Sequence, residues 1–162
     1  MLLLGFPYLG FQDSSYENTI WEVSGVITIR GNKVRIGRGS KFCVHGECGM
    51  GENFIITGRS TIICNNKIVF GDNVLISWDI LLMDTDWHKI YNDRNELLNG
   101  DKPIIVGDNV WIGCRSTVLK GSIIPSNSVI AACSIISGEM NKERCIYTTN
   151  KRVLKENIFW KR

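Results

Sequence analysis

A six-residue period in the apolar positions is the clearest feature of the chain between residues 104 and 139. The third residue of every six-residue block is β-branched, and the first is small or β-branched throughout. The third positions are Val106, Ile112, Val118, Ile124, Ile130 and Ile136, and the first positions are Ile104, Val110, Ser116, Ser122, Ser128 and Ser134. Residues two apart on a strand point to the same side, so both positions can face a common interior.

This period excludes an amphipathic helix, because residues six apart would spiral around a helix with 3.6 residues per turn. It is instead the period of a parallel β-helix, in which each block forms one flat face of a coil. If three blocks close a coil, residues 18 apart stack on one another. The predicted stacked pairs are Val106 with Ile124, Ile112 with Ile130, and Val118 with Ile136.

A weaker form of the same pattern extends upstream of residue 104. Phe70, Ile76 and Leu82 have the same phase, and the earlier candidates for inward positions are Ile29, Ile36, Ile56 and Ile63. Several of these spacings are seven, which predicts a one-residue excess absorbed at a corner as a small bulge. Asn73, Asn109 and Asn127 recur at one corner, where asparagine tolerates left-handed backbone.

Two segments interrupt or end the repeat. Residues 86–103 have no six-residue core position, and a long excursion from a rigid coil is usually a functional loop. We therefore predict an N-terminal cap of unknown structure (1–24), a β-helix (25–145) with this protruding loop, and a basic C-terminal tail (146–162). The run KRVLKENIFWKR predicts a short helix with Val153, Leu154 and Ile158 on the end of the coil.

Composition and charge restrict the class of protein. The 162 residues are 44% apolar and 22% charged, which is typical of one soluble domain. The net charge of +3 argues against a nucleic-acid partner, but residues 140–162 hold seven Lys/Arg and only two Asp/Glu. No two of the six cysteines form a C-x-x-C pair, and the first positive charge is Arg30. We expect a cytoplasmic protein with reduced thiols and no membrane span.

The run GDNVLIS…DTDWHKI…IIVGDNVWIGCRSTVLKGSIIPSNSVIAACSII resembles the hexapeptide-repeat acyltransferases, and most of all the sugar and polysaccharide O-acetyltransferases. The ending YTTNKRVLKENIFW is similar to the tail of these enzymes, with Thr148 and Asn150 where glycine and proline are usual. Cys133 also stands where glycine is common. The resemblance implies left-handed coils, a homotrimer with active sites between subunits, acetyl-CoA as co-substrate and a carbohydrate hydroxyl as acceptor.

The same resemblance marks His88 as the catalytic base. This histidine lies at the base of the loop, directly after a rung of the repeat, and a neutral imidazole is suited to removing a hydroxyl proton. Asp84 and Asp86 precede it, and one of them is expected to orient the imidazole. Either carboxylate can also bind a sugar hydroxyl, and we favour Asp84 slightly for the orienting role.

The resemblance also indicates where acetyl-CoA would bind. The expected cofactor-binding residues are Trp111, Cys114, Ala131, Ala132, Ser137, Lys151 and Arg152. Cys114 is expected to act through its backbone N–H, as an oxyanion donor, and not as a covalent nucleophile. Arg152 and Lys151 would meet the phosphates of the cofactor, although a solvated basic surface is an equally plausible interpretation.

Three alternatives remain open at this point. A zinc enzyme of the carbonic anhydrase type on this fold needs three histidine ligands, whereas the chain has only His45 and His88, so we expect no metal. The acceptor can also be an amine, as in an amino-sugar nucleotide. A non-catalytic β-helix scaffold is the third alternative, against which the histidine loop argues. No role is assigned to His45.

Overall fold

The structure is a computed structural model that describes residues 1–6 and 17–161. This part of the chain is almost entirely β-strand. Three sheets of eight, six and five strands, parallel except for the last strand of the first sheet, form the three sides of a solenoid of about six coils. Successive coils stack their strands in each sheet, so an interior strand pairs with the strands of the coils directly above and below it.

The strands are numbered in chain order. The first three coils contain β1 (Leu2–Phe6), β2 (Ile20–Val23), β3 (Val26–Ile29), β4 (Val34–Gly37), β5 (Lys41–Val44), β6 (Glu47–Met50), β7 (Phe54–Gly58), β8 (Thr61–Cys64) and β9 (Lys67–Phe70). The later coils contain β10 (Leu75–Trp78), β11 (Leu81–Met83), β12 (Ile104–Val106), β13 (Trp111–Ile112), β14 (Thr117–Leu119), β15 (Ile123–Ile124), β16 (Val129–Ile130) and β17 (Ile135–Ile136). The chain ends with β18 (Ile146–Thr148), a 3₁₀ turn (Thr149–Lys151) and β19 (Arg152–Lys155).

The predicted register of residues 104–139 is confirmed. Val106 pairs with Ile124, Ile112 with Ile130, and Val118 with Ile136 in adjacent parallel strands. All twelve first-position and third-position side chains of the six blocks are at most 2% exposed. The serines at the first positions are buried because small side chains fit beside the corners, where some of their hydroxyls bond to backbone carbonyls, as Ser134 Oγ does to the Ala131 oxygen at 2.7 Å.

The upstream phase is confirmed in part. Ile36 and Ile56 lie in the core together with Phe70, Ile76 and Leu82, whereas Ile29 is 37% exposed. The assignment of Ile63 was wrong, because Ile62 and Cys64 point inward and Ile63 points outward. The physical reason is that the second and third coils carry two extra residues, not one, between their second and third sides. Two extra residues keep the inward and outward alternation of side chains in phase. Two inward positions of these coils are therefore never seven residues apart.

The corners explain the recurring asparagines. Asn73, Asn109 and Asn127 have positive φ values of 57°, 52° and 60°, as predicted, and Asn53 has the same conformation at the same corner. Their side chains also bond from coil to coil, with Asn109 Nδ2 donating to Asn127 Oδ1 at 3.1 Å. Cys133 lies at a different corner with φ 59°, in the left-handed region that favours glycine.

Two predicted boundaries need correction. The described parts of the predicted cap belong to a first coil, because β1 pairs with β4 and β2 pairs with β5. Residues 7–16 of that segment lie outside the described residues. The predicted C-terminal helix is also wrong, because Arg152–Lys155 is a strand that pairs antiparallel with β18.

The physical reason for the hairpin is the turn at Asn150 and Lys151. Both residues have φ 59°, in the left-handed region that hairpin turns require and a helix interior does not allow. Val153 and Leu154 remain 36% and 50% exposed, so they do not plug the end of the coil. Among the residues described, no helix is long and apolar enough to cross a membrane.

Candidate active site

The loop of residues 86–103 leaves the solenoid between β11 and β12, at the corner where the two preceding coils carry their extra residues. Its two ends meet, because Lys102 N–H donates to the Asp84 carbonyl oxygen at 3.1 Å. Inside the loop Tyr91 and Leu97 form an isolated antiparallel bridge. Its apolar side chains are largely in solvent: Trp87, Ile90, Tyr91, Leu97 and Leu98 are 46–62% exposed. An exposed apolar surface of this kind is typical of a binding site.

His88 lies near the start of this loop and its side chain is exposed. The backbone around it is held firmly. Asn99 Nδ2 donates to the His88 carbonyl oxygen at 2.7 Å, and His88 N–H donates to the Asp86 carbonyl oxygen at 2.7 Å. Among the residues described, none forms a hydrogen bond with the imidazole itself.

Asp86 is joined to the same backbone by side chains. Its Oδ2 accepts hydrogen bonds from Lys120 Nζ and, at 2.9 Å, from Asn99 Nδ2. Lys120 Nζ also donates to the Asn99 carbonyl oxygen at 2.8 Å. The hydrogen bond from Lys120, followed by that from Asn99, holds the pKa of the Asp86 carboxyl below its ordinary value of 3.8. This carboxylate is therefore charged at neutral pH and ties the loop to β14.

The structure does not support the preference for Asp84 as the residue that orients His88. Asp84 is fully buried, and its carboxylate accepts the backbone N–H groups of Asn65 at 2.7 Å, Asn66 at 2.9 Å and Lys67 at 2.6 Å. It occupies the inward position held by Val44 and Cys64 in the coils below. A buried carboxylate needs such donors, and these three complete the corner of the neighbouring coil.

Sequence reasoning missed Asn99 and Lys120. Asn99 bonds to the backbone at two points, since its Nδ2 donates to the His88 carbonyl oxygen and its Oδ1 accepts Ile90 N–H at 2.7 Å. The available signal was the register, because pairing of Met83 with Leu119 brings Lys120 beside the start of the loop. Without a fixed coil length upstream of residue 104, that register could not be assigned.

Trp111 faces outward on β13, as expected, and is 38% exposed. Its Nε1 donates to Ser77 Oγ, in the coil below, at 3.0 Å. Its ring lies 6.0 Å from that of Trp160, centroid to centroid, and Trp160 Nε1 donates to the Asn109 carbonyl oxygen at 2.8 Å. The end of the tail thus returns to the wall of the solenoid beside Trp111.

Three other predicted cofactor residues lie in turns next to one corner. The Cys114 carbonyl oxygen accepts Cys133 N–H at 2.9 Å, which fixes the backbone there. Ala131 N–H donates to the Tyr147 carbonyl oxygen at 2.8 Å, and Ala132 is exposed. These positions therefore present backbone and small side chains to solvent.

The tail residues are close to the last coil. A Cβ placed on Gly138 would lie 3.2 Å from Lys151 Nζ, so the ammonium group of Lys151 sits beside the segment that contains Ser137. Arg152 is exposed at the start of β19. The structure thus brings Lys151 and Ser137 together, and it leaves the Arg152 guanidinium in solvent.

No family model matches the chain. It is 35% identical over 94 residues to a galactoside O-acetyltransferase from Escherichia coli (strain K12), over 56% of this chain and 45% of that protein. It is 29% identical over 110 residues to a polysialic acid O-acetyltransferase from Neisseria meningitidis, over 61% of this chain and 51% of that protein. The chain thus spans about half the length of these curated relatives.

Solved structures show the same fold. The polySia-specific acetyltransferase NeuO superposes with a TM-score of 0.63 at 24% identity, over 88% of this chain and 67% of that one. The N-acyltransferase AntD from Bacillus cereus superposes with a TM-score of 0.69 at 17% identity, over 96% and 80%. The chain has the left-handed parallel β-helix fold of these solved structures. Its resemblance to the hexapeptide-repeat acyltransferases, and among them to sugar and polysaccharide O-acetyltransferases, is confirmed.

Proposed function

We propose that the protein transfers an acetyl group from acetyl-CoA to a hydroxyl of a carbohydrate, with His88 as the general base. The observation that carries the proposal is the exposed imidazole of His88 on a loop whose backbone is held by Asn99 and Asp86. The named relatives, which are O-acetyltransferases of galactosides and polysialic acid, support the reaction and the class of acceptor.

In the proposed reaction, neutral His88 accepts the proton of the acceptor hydroxyl while that oxygen attacks the acetyl carbonyl carbon. The tetrahedral intermediate then collapses, the carbon–sulfur bond breaks, and the CoA thiolate takes the proton back from His88. Asp86, Asn99 and Lys120 are positioning residues in this proposal. Asn99 holds the backbone at His88 and Ile90, and Asp86 and Lys120 hold Asn99.

The co-substrate would lie along the corner of the last coils. We assign Trp111, the Cys114 backbone N–H, Ala131, Ala132 and Ser137 to the acyl chain and pantetheine arm, and Lys151 with Arg152 to the phosphates. Small side chains at Ala131 and Ala132 leave backbone accessible, and the Lys151 ammonium beside Ser137 supplies positive charge at the same end.

We also propose a cytoplasmic homotrimer that acts in polysaccharide biosynthesis. The exposed apolar side chains of the loop, and the half-exposed Trp111, support an interface between subunits. The six free cysteines are consistent with a reducing compartment.

The test is an assay of acetyl-CoA turnover with galactosides and sialic acid polymers as acceptors, in which release of the CoA thiol is measured. His88→Ala should lower the turnover number by about 10²–10⁴, the usual contribution of a general base, with acetyl-CoA affinity nearly unchanged.

Lys89→Ala is the matched control, because Lys89 lies next to His88 and pairs with Asp101 at 3.4 Å outside the proposed site. Retention of more than about a tenth of the activity in His88→Ala contradicts the role of the base. If only amino sugars are acetylated, the acceptor group is an amine and not a hydroxyl.

A further inference from the structure

A second group of chemically reactive side chains lies on the outer surface of the second sheet. Glu22 on β2 and Cys43 on β5 are paired neighbours, so their side chains point the same way. His45 follows two residues after Cys43, at the corner. Its Nε2 is 3.6 Å from Glu22 Oε1 and 3.7 Å from Cys43 Sγ. All three donor atoms lie within 4.8 Å of one another.

These separations agree with the edges of a tetrahedral coordination shell. Zinc binds sulfur at about 2.3 Å and imidazole nitrogen or carboxylate oxygen at about 2.0–2.2 Å. At the tetrahedral angle, those bonds separate sulfur from nitrogen by roughly 3.6 Å and nitrogen from oxygen by roughly 3.4 Å. The separations of His45 Nε2 from Cys43 Sγ and from Glu22 Oε1 lie within a few tenths of an ångström of these values.

The donor set also selects the type of ion. Thiolate and imidazole ligands favour zinc and cobalt over magnesium or calcium, which prefer shells of oxygen alone. We propose that Glu22, Cys43 and His45 bind one divalent transition-metal ion of the zinc type, with a fourth position open to water. The thiol proton of Cys43 passes to solvent when the metal–sulfur bond forms.

The position of this cluster gives the proposal a local reporter. The Trp87 ring reaches down from the loop to within 6.3 Å of the His45 ring, centroid to centroid. Trp87 is bonded directly to His88 in the chain, so an ion at this cluster lies beneath the base of the loop. The proposal depends on coordination geometry alone, and it holds whether or not the protein transfers acetyl groups.

The other thiols differ from Cys43 in ways that make the assignment testable. Cys48, Cys64 and Cys145 are buried, whereas Cys43 is half-buried. Cys133 is exposed but lies at a different corner, outside this cluster. Cys133→Ser is therefore a matched control for Cys43→Ser.

The experiment is a titration of the full chain, without a polyhistidine tag and under a non-thiol reductant, with Co²⁺ as the probe. One equivalent should bind, with a thiolate-to-cobalt charge-transfer band and displacement by Zn²⁺. Cys43→Ser should abolish that band, His45→Ala and Glu22→Gln should each weaken binding at least about tenfold, and Cys133→Ser should bind like the unmodified protein. Metal binding should also change the fluorescence of Trp87, and this change should be absent in Trp87→Phe.

Several outcomes overturn the proposal. They are the absence of saturable binding at one equivalent, a charge-transfer band that survives Cys43→Ser, and equal affinity in His45→Ala. Circular dichroism of each variant separates loss of a ligand from loss of the fold. Since all three side chains lie on the outer surface, at least one variant should retain the native spectrum.

Discussion

At the scale of single residues, the same chemical type serves different purposes according to what surrounds it. Asp84 and Asp86 are two residues apart, yet the first is buried in a corner and the second bonds to Lys120 at the surface. The sequence identified both as partners for His88 because alternation places them on one side of a continued strand. It could not separate them, because the donors to Asp84 come from a coil whose register was not assigned.

Lys120 has a measurable effect on its partner. Because the lysine is the main cause of the lowered pKa of Asp86, Lys120→Met should move that pKa back toward its ordinary value of 3.8. In the unmodified protein the ion pair forms above the pKa of the unfolded state and is lost only as pH falls through the lower, folded value. NMR titration of the Asp86 carboxyl carbon measures the change.

The turnover of Lys120→Met adds a second measurement. If Lys120 positions the loop, its loss should lower the turnover number several-fold, and Lys120→Arg should recover part of that loss. An unchanged Asp86 titration in Lys120→Met would show that the two side chains are not paired in solution.

Arg152 permits a different kind of measurement. A contact to a remote phosphate is made equally in the ground state and the transition state, so Arg152→Ala should raise the Michaelis constant for acetyl-CoA more than it lowers the turnover number. Added salt should weaken binding of acetyl-CoA to the unmodified protein more than to the variant. Glu156→Ala is the control, since Glu156 lies on the same tail and pairs with Lys142. Identical Michaelis constants for Arg152→Ala and the unmodified protein would remove this residue from the site.

At the scale of elements, the six-residue period was sufficient to predict the later coils residue by residue. It failed where the geometry departs from six. Ile63 was placed inward because a one-residue excess was expected, and the tail was predicted as a helix from its apolar spacing. In the tail, two consecutive left-handed residues and a free strand edge at β18 favour a hairpin over local helix propensity.

The alternation along β15 gives a matched test of the interior. Ile124 is 1% exposed and its neighbour Ile123 is 39% exposed. Ile124→Ala should lower the free energy of unfolding by about 2–5 kcal/mol, because it leaves a cavity in a close-packed core. Ile123→Ala should cost less than about 1 kcal/mol. Denaturant unfolding measures both, and equal losses would contradict the inward and outward assignment.

At the scale of the whole molecule, the solenoid and its loop are separable structures. The strands of the coils pair with those of adjacent coils, whereas the loop bonds to the coils through a few residues, among them Asp86, Asp101 and Lys102. We expect replacement of residues 86–101 by a short glycine-containing turn to leave the melting temperature within about 4 °C of the original, which corresponds to roughly 1 kcal/mol. Acetyl transfer should be abolished.

Thermal unfolding and sedimentation velocity on both proteins measure these outcomes. A fall in melting temperature beyond about 10 °C would mean that the loop is part of the folding unit. The unmodified protein should sediment as a trimer, and a stable monomer at micromolar concentration contradicts the proposed assembly.

The hydrogen bond between Lys102 and Asp84 closes the loop at its base, so its entry and exit points are a single bond apart. A segment anchored in this way can be lengthened, shortened or exchanged while the coils on either side keep their pairing. Selection can then alter what the loop recognises through substitutions that leave the packing of the core unaffected. Variants of this loop can therefore bind different acceptors, while the stability of the coils remains the same in each variant.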